Sequence, residues 1–320
     1  MAKVKNKRVI GLTLDSTEMR AVELSGTRHQ PRVVASGRVS LPEGLVANGQ
    51  ITDMPAAAEL LRGLLKDKHF GKSPVILGVE GRGVLLRMAA FPRVPEDKMR
   101  NVVQYQAQQY IPVPVAELNL DYVECDEVKE AEHPTVNLLL VGAQKTYVDQ
   151  LLELVQLAGL PILDVDAAIL ASVRAMESCA QPMQGTCLLA SLDETSLGMT
   201  VLREDNTILM ARSVTHSPRF LRLTEEFTNG GTTETLAELT MLLQRELQAS
   251  LQYFGMRADA QVSSVALLGS YPKLDRLADA LAKVSQLPVQ VPAVYPQLSR
   301  DLDAVAYAGC ISLAQQGLEE

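Results

Sequence analysis

An α/β protein of two lobes is what the sequence predicts, on three observations. Short runs of β-branched and aliphatic residues alternate with amphipathic stretches of helical spacing. A breaker, Gln181-Pro182-Met183-Gln184-Gly185, cuts the 320-residue chain near its middle. The second half then repeats the beginning of the first: Leu12-Thr13-Leu14-Asp15-Ser16-Thr17-Glu18-Met19 aligns with Ala190-Ser191-Leu192-Asp193-Glu194-Thr195-Ser196-Leu197. In both, a strand ends in hydroxyl-Leu-Asp-x-Thr and a second strand starts at once. A third strand comes next in each half, so the repeat predicts duplicated lobes facing one another.

The elements run in order. Arg8 to Leu14 and Glu18 to Leu24 read as a strand pair around Asp15-Ser16-Thr17, and Arg32 to Leu41 as a third strand closed by Pro42-Glu43-Gly44. Pro55 to Leu65 has helical spacing, and Val75 to Val79 is the unbroken apolar run of a buried strand. Val84 to Phe91 is a strand, and Pro95 to Tyr110 is a Gln-rich helix ending at Ile111-Pro112-Val113-Pro114. Strands at Leu118 to Val123 and Val136 to Val141 are joined by a charged segment, Glu124 to His133. Lys145 to Leu157 is a helix, Ile162 to Val165 a strand, and Ala167 to Met176 a helix. Beyond the breaker, Ile208 to Val214 matches the strand Val33 to Val39. A long helix, Thr235 to Phe254, precedes the strand Val265 to Leu268 with Gly269-Ser270. A helix from Tyr271 to Val284, a short strand Val289 to Val291 and an Ala-rich helix from Leu302 to Leu313 complete the chain.

Composition narrows the function. Hydrophobic residues are 47% and charged residues 21%, enough for a sizeable core and incompatible with dominant disorder. Lys and Arg number 30 against 38 Asp and Glu, a net charge of −8, which argues against gripping nucleic acid. Aromatics are 4% with no Trp, which argues against base-stacking platforms. No apolar run approaches the roughly 18 residues that span a bilayer. The start, Met1 to Arg8, is basic, but the apolar stretch after it stops at Asp15, so no secretory signal is expected. Cys125, Cys179, Cys187 and Cys310 lack metal or disulfide spacing and read as buried reduced thiols of a cytosolic protein. His29, His69, His133 and His216 read as surface or loop residues.

The paired strand turns carry the chemistry open to such a fold. Facing a cleft between lobes, turn amides hold phosphate oxygens, and Ser16, Thr17, Thr195 and Ser196 can add hydrogen bonds. The same residue types also favour turns with no ligand at all, and on residue type alone the plain turn is the better reading. Gln104, Gln106, Gln108 and Gln109 fit a solvated helix face with Val103, Ala107 and Tyr110 turned inward. The basic start, Lys3 to Arg8, fits a solubilising tail or a contact with a membrane surface.

These residues carry a family resemblance. Gly11 to Leu24 resembles the opening hairpin of the PilM family, actin-like cytoplasmic components of type IV pilus assembly platforms and relatives of FtsA. Leu41 to Ile51 is similar to that family's next turn. The most specific match is Val103-Gln104-Tyr105-Gln106-Ala107-Gln108-Gln109-Tyr110-Ile111-Pro112-Val113-Pro114, continuing through Glu117 to Asp121. Leu139 to Lys145, Ala158-Gly159-Leu160-Pro161, Asp164-Val165-Asp166 and Leu247 to Phe254 extend it in the same order. The resemblance implies a two-lobed actin-like fold (FtsA/PilM-type) with an SHS2-like module inserted in the first lobe. On that plan 1–80 and 158–180 form the first-lobe core, 81–157 the module and 181–320 the second lobe.

The resemblance also implies ATP in the cleft and capture of the cytoplasmic N-terminal tail of PilN, a bitopic inner-membrane protein, in a groove beside the module. The groove wall would include Glu80, Tyr110, Ile111 and Pro112. Recruitment to the inner-membrane face from the cytoplasm, alongside other platform components, would be indirect. If ATP binds, its ligands would be Thr13, Asp15, Ser16, Thr17, Arg20, Ser191, Asp193, Glu194, Thr195, Gly269 and Ser270, with Mg²⁺ held by Asp15 and Asp193.

The sequence departs from the family pattern where that chemistry sits. Both hairpins of the family read Asp-x-Gly, whereas this chain has Thr13-Leu14-Asp15 and Ser191-Leu192-Asp193, and Gly269-Ser270-Tyr271-Pro272 at the Gly-rich adenosine turn. A carboxylate about 4 Å from phosphate costs roughly 4 kcal/mol at an effective dielectric near 20. Bridging Mg²⁺ would reverse that sign. The expectation is a structural adaptor with a degenerate nucleotide pocket and no evident base for hydrolysis. The alternatives are an active ATPase of the same platform and an FtsA-like filament former, against which Leu313 to Glu320 is too short and acidic for a membrane helix.

Overall fold

The computed structural model describes residues 7–47, 49–128, 134–181, 183–256 and 260–320, and of residues 82, 127 and 128 the backbone alone. Strands β1 (Arg8–Leu14), β2 (Glu18–Gly26) and β3 (Pro31–Ser40) form an antiparallel meander. Nearly every residue of β1 and β2 is buried, as in a sheet covered on both faces. A two-residue ladder, β4 (Val46–Ala47) with β5 (Gln50–Ile51), leads to α1 (Met54–Asp67). Asp53 caps that helix by accepting the Ala56 amide at 3.0 Å. Strand β6 (Val75–Val79) returns parallel to β1.

The chain then builds a separate module from β7 (Val84–Pro92), α2 (Glu96–Gln106), β8 (Leu118–Val128) and β9 (Thr135–Gln144). Its antiparallel sheet has the order β7-β9-β8, and α2 covers one face, burying Met99 and Val103 against Phe91, Leu138 and Leu140. Helix α3 (Lys145–Leu157), strand β10 (Ile162–Ala167) and helix α4 (Ala168–Met176) complete the first half.

The second half repeats the plan with β11 (Thr186–Leu192), β12 (Ser196–Leu202) and β13 (Ile208–Thr215). Helices α5 (Pro218–Thr228) and α6 (Thr233–Gly255) precede β14 (Val262–Leu268), which runs parallel to β11. Helix α7 (Leu274–Val284), strand β15 (Val289–Gln290) and helix α8 (Ala308–Gln316) come last. The two large sheets run β10-β6-β1-β2-β3 and β15-β14-β11-β12-β13, the same order of corresponding strands. The hairpins correspond in detail. Leu14 pairs with Met19 and Leu192 with Leu197, and the turn amides of Asp15 and Asp193 bond the carbonyls of Glu18 and Ser196 at 3.1 and 3.0 Å.

Helices α4 and α8 pack on one another between the sheets, and α8 lies across β1, β2 and β6. The approach is so close that a Cβ on Gly11 would lie 2.0 Å from the Cys310 carbonyl oxygen. An apolar core joining the lobes includes Leu24, Ala171, Leu189, Leu268, Ile311 and Leu313.

Several elements depart from the sequence expectation. Helix α3, assigned to the module by the 81–157 boundary, buries Tyr147, Leu151 and Val155 in the first-lobe core with Leu61 and Leu64. Helix α8, expected in the second lobe, lies on the first lobe's sheet, and it starts at Ala308 rather than Leu302. Strand β8 continues through the charged segment to Val128, because its pairing with β9 continues to Thr135. The Gln-rich helix ends at Gln106 and tightens into a 3-10 turn, Ala107–Gln109. Helix α7 starts three residues late, behind Lys273 at φ 53°. Helix α5 has no counterpart in the sequence reading. Lys3 to Asn6 of the basic start, Pro182 of the breaker, Asn48, and Lys129 to His133 of the charged segment lie outside the described residues.

Candidate functional site

Both lobes bring a first hairpin to the gap between them, and the two turns use their aspartates differently. Asp15 folds back on its own turn, its Oδ1 accepting the Thr17 amide at 2.6 Å, the Thr17 hydroxyl at 2.8 Å and the Glu18 amide at 2.9 Å. Asp193 reaches outward. Its Oδ1 accepts the Ser270 hydroxyl at 3.0 Å and, at 3.0 Å, Nη2 of Arg20 from the other lobe. Gly269 brings Ser270 there: its φ is +122°, and a Cβ on it would lie 2.1 Å from the Leu192 carbonyl oxygen.

Arg20 is the centre of the site. It projects from β2 with its side chain only 7% exposed, and Nη1 donates to the Ala306 carbonyl of the second half at 3.2 Å. Four carboxylates surround it: Asp193 at 3.0 Å, Glu18 at 3.1 Å, Asp15 at 3.6 Å and Glu80 at 4.0 Å. One guanidinium cannot satisfy them all. Oδ2 of Asp15 and Oε1 of Glu80 are buried without a hydrogen-bond partner, and Nε of Arg20, though 3.1 Å from Oε1 of Glu18, makes no hydrogen bond to it.

The electrostatics reflect that shortage. Burial pulls the Arg20 guanidinium down, but Asp193 and Glu80 outweigh it and hold the group charged, well above its usual range. Burial, then the charge of Asp193, push the Glu80 carboxyl well up, against the opposing pull of Arg20. Glu18 and Glu194 are raised too, by burial first, with Asp15 adding to both.

Beside this cluster opens a cavity of about 260 Å³, lined among others by Asp15, Ser16, Glu80, Thr195, Ser196 and His216. His216 lies on the loop between β13 and α5, as its reading as a surface or loop residue allows, but it is buried there rather than exposed. It stacks on Phe220 with centroids 3.9 Å apart and a 14° interplanar angle, and Nε2 lies 3.1 Å from the Asp193 carbonyl oxygen. Burial lowers its pKa to about 4.

The structure therefore gathers Asp15, Arg20, Asp193 and Ser270 at one point, with Ser16, Thr195 and half-buried Glu194 nearby and Ser191 lining a small gap next to Asp193. Thr17 is held by Asp15, and Thr13 is buried with its hydroxyl 3.5 Å from the Cys310 thiol. Glu18 and His216 were missed. Among the described residues no three His, Cys, Asp or Glu side chains converge as metal ligands, and no helix is long and apolar enough to cross a membrane.

A second concavity, about 480 Å³, lies between the module and the first lobe. Its walls are β8 and β9, α3, and β10 with the start of α4, and they include Val141, Val148, Leu152, Val165 and Leu170. β8 and β10 are both edge strands of their sheets. The residues expected on a groove wall lie elsewhere. Glu80 faces the interlobe cluster, Ile111 is buried in the module's own core, and Tyr110 packs on Phe91 and donates to the Ala90 carbonyl at 3.2 Å. Pro112 is exposed in the loop after them, which Gln108 clasps through the carbonyls of Ile111 and Val113 and the amide of Val115.

Comparison with known proteins bears on this arrangement. The family of the type IV pilus assembly protein PilM matches residues 11–214. The solved PilM-PilN type IV pilus biogenesis complex contains a chain that superposes with a TM-score of 0.83 at 22% identity, covering 99% of this chain and 100% of that one. The ethanolamine utilization protein EutJ from Carboxydothermus hydrogenoformans superposes with a TM-score of 0.55 at 11% identity, over 98% and 91% of the two chains.

Proposed function

Since this chain belongs to the PilM family of type IV pilus assembly proteins, with the actin-like two-lobed fold expected from its sequence, we propose that it is a structural adaptor of a pilus or related secretion platform. It works in the cytoplasm at the inner-membrane face, holding the cytoplasmic tail of a PilN-like protein in the groove between β8 and β10 and contacting other platform components. The similar solved chain comes from a complex with PilN, and two unpaired strand edges beside an apolar trough suit an extended tail.

The observation that carries the reading is Arg20 across the cleft. A nucleotide in an actin-like cleft needs free turn amides and uncommitted cations for its phosphates. Here the amides of Thr17 and Glu18 are taken by Asp15, that of Ser270 leans on Asp193, and the buried guanidinium is shared among four carboxylates. Asp15 and Asp193 stand where the family pattern has glycine, so a side-chain carboxylate occupies the approach that glycine would leave open to a phosphate. A polyphosphate does not fit these residues, so the lobes are held by side chains where a nucleotide would otherwise hold them.

Calorimetric titration separates the possibilities. A synthetic PilN-like tail is expected to bind at micromolar concentration, and Mg-ATP to give no heat of binding. Tight Mg-ATP binding overturns the degenerate pocket, and an inert tail overturns the adaptor.

A further inference from the structure

The two strand edges that border the groove are not equivalent. On β10 the amides of Val165 and Ala167 are already bonded to the carboxylates of Asp164 and Asp166, at 2.8 and 2.7 Å. Side chains placed so blunt an edge against a further strand. Along β8, no side chain of the described residues bonds the main chain of Asn119 to Tyr122, and that stretch lines the trough.

Charge distinguishes the walls as well. Among the described residues, four charged side chains line the trough: Arg100 of α2, Asp121 of β8, Asp149 of α3 and Asp166 of β10. Asp166 is paired with Arg174. Arg100 reaches Asp121 only at 3.5 Å, with both side chains mostly exposed, a contact of little strength. Asp149 is exposed and has no ion-pair partner among the described residues. An apolar trough is thus left with an unbalanced negative wall.

Resting on the adaptor reading above, we propose that the groove selects a tail carrying a basic side chain. The tail adds as a strand along Asn119–Tyr122 of β8, sets a lysine or arginine against Asp149 and Asp121, and lays apolar side chains on Leu152 and Val165. Main-chain pairing supplies affinity, and the charge fixes register and rejects acidic tails.

The test is fluorescence anisotropy of the PilN-like tail peptide, labelled at its C-terminus, against the full chain. Binding is expected to weaken with salt, by about threefold in Asp149→Asn and by about tenfold in Asp149→Lys, as charge pairs at an accessible rim do. A peptide with its basic residue changed to Glu should lose about tenfold against the unaltered chain and recover against Asp149→Lys. Asp149 is exposed on a helix surface, so these variants fold. A tail that does not bind even at millimolar concentration overturns the adaptor reading itself. A tail that binds without salt dependence and ignores both Asp149 changes overturns this inference alone. A peptide tolerating N-methylation at every amide overturns the strand addition to β8.

Discussion

Arg20 of the first lobe and Asp193 of the second meet at 3.0 Å across the interlobe gap, 173 residues apart in sequence. Two further contacts make this pair a fastener: the same guanidinium donates to the Ala306 carbonyl, and the same carboxylate oxygen accepts Ser270. A pair buried on both sides does not by itself imply a gain in stability, because desolvation offsets much of the attraction. Breaking it is another matter, since the remaining carboxylates lose their shared cation.

Arg20→Leu is therefore expected to destabilise the fold by about 3–5 kcal/mol. Arg20→Lys recovers part of this at most, because an ammonium lacks the fork that reaches Asp193 and Ala306 together. The buried Cys310 thiol, which lies 3.4 Å from the Arg20 carbonyl and which burial pushes up to about 11, reports on the same event. It should resist thiol reagents in the unaltered chain and react readily in Arg20→Leu; unchanged labelling would show that the lobes stay closed without the pair.

Glu80→Gln should raise the melting temperature at neutral and alkaline pH, by a stabilisation on the order of 1 kcal/mol. A carboxyl whose folded pKa is raised contributes stability below the unfolded pKa and loses it as pH climbs through the folded value. The advantage of the amide should accordingly shrink toward pH 4 and grow upward, as thermal melts across that range would show.

His216 acts in the opposite direction of pH. Its folded pKa is lowered to about 4, so the unfolded chain takes up a proton that the native state refuses as pH falls from 6.5. Native stability should drop on the order of 3 kcal/mol by pH 4 from this group alone. His216→Phe keeps an aromatic ring against Phe220 and should flatten that part of the denaturant midpoint's pH dependence.

Gly269→Ala is expected to cost more than about 2 kcal/mol. The new Cβ falls 2.1 Å from backbone oxygen of Leu192, and φ at +122° is strained for any side chain. Because the same turn presents Ser270 to Asp193, the variant should also loosen the interlobe pair, read as faster Cys310 labelling than in an equally destabilised surface variant.

Much of this fold was legible in local sequence. Arg8–Leu14, Val75–Val79 and Lys145–Leu157 have the bounds that their apolar runs and turn residues announce. The repeat around Asp15 and Asp193 announced matching hairpins, and their residues do converge on the cleft. What escaped was set by distant parts of the chain. Arg20 reads as a possible phosphate ligand until Asp193 and Ala306 arrive to claim it. His216 is the loop residue it looks like, but its burial depends on Phe220 stacking over it, and α5 was missed although Ser217-Pro218 is a capped helix start. Tyr110-Ile111-Pro112 marks a fold-defining loop of the module, whereas the trough draws its charge from Asp121 and Asp149 on separate elements.

The return of α8 to the first lobe has a consequence for how the molecule is made. Thr13 and Cys310, which touch in the finished protein, are 297 residues apart. At ribosomal speeds the strand holding Thr13 waits roughly half a minute before its covering helix exists. Until then the face of β1 around Gly11 lacks its covering helix in the nascent chain, so the later-made segment decides when the earlier-made sheet is closed over.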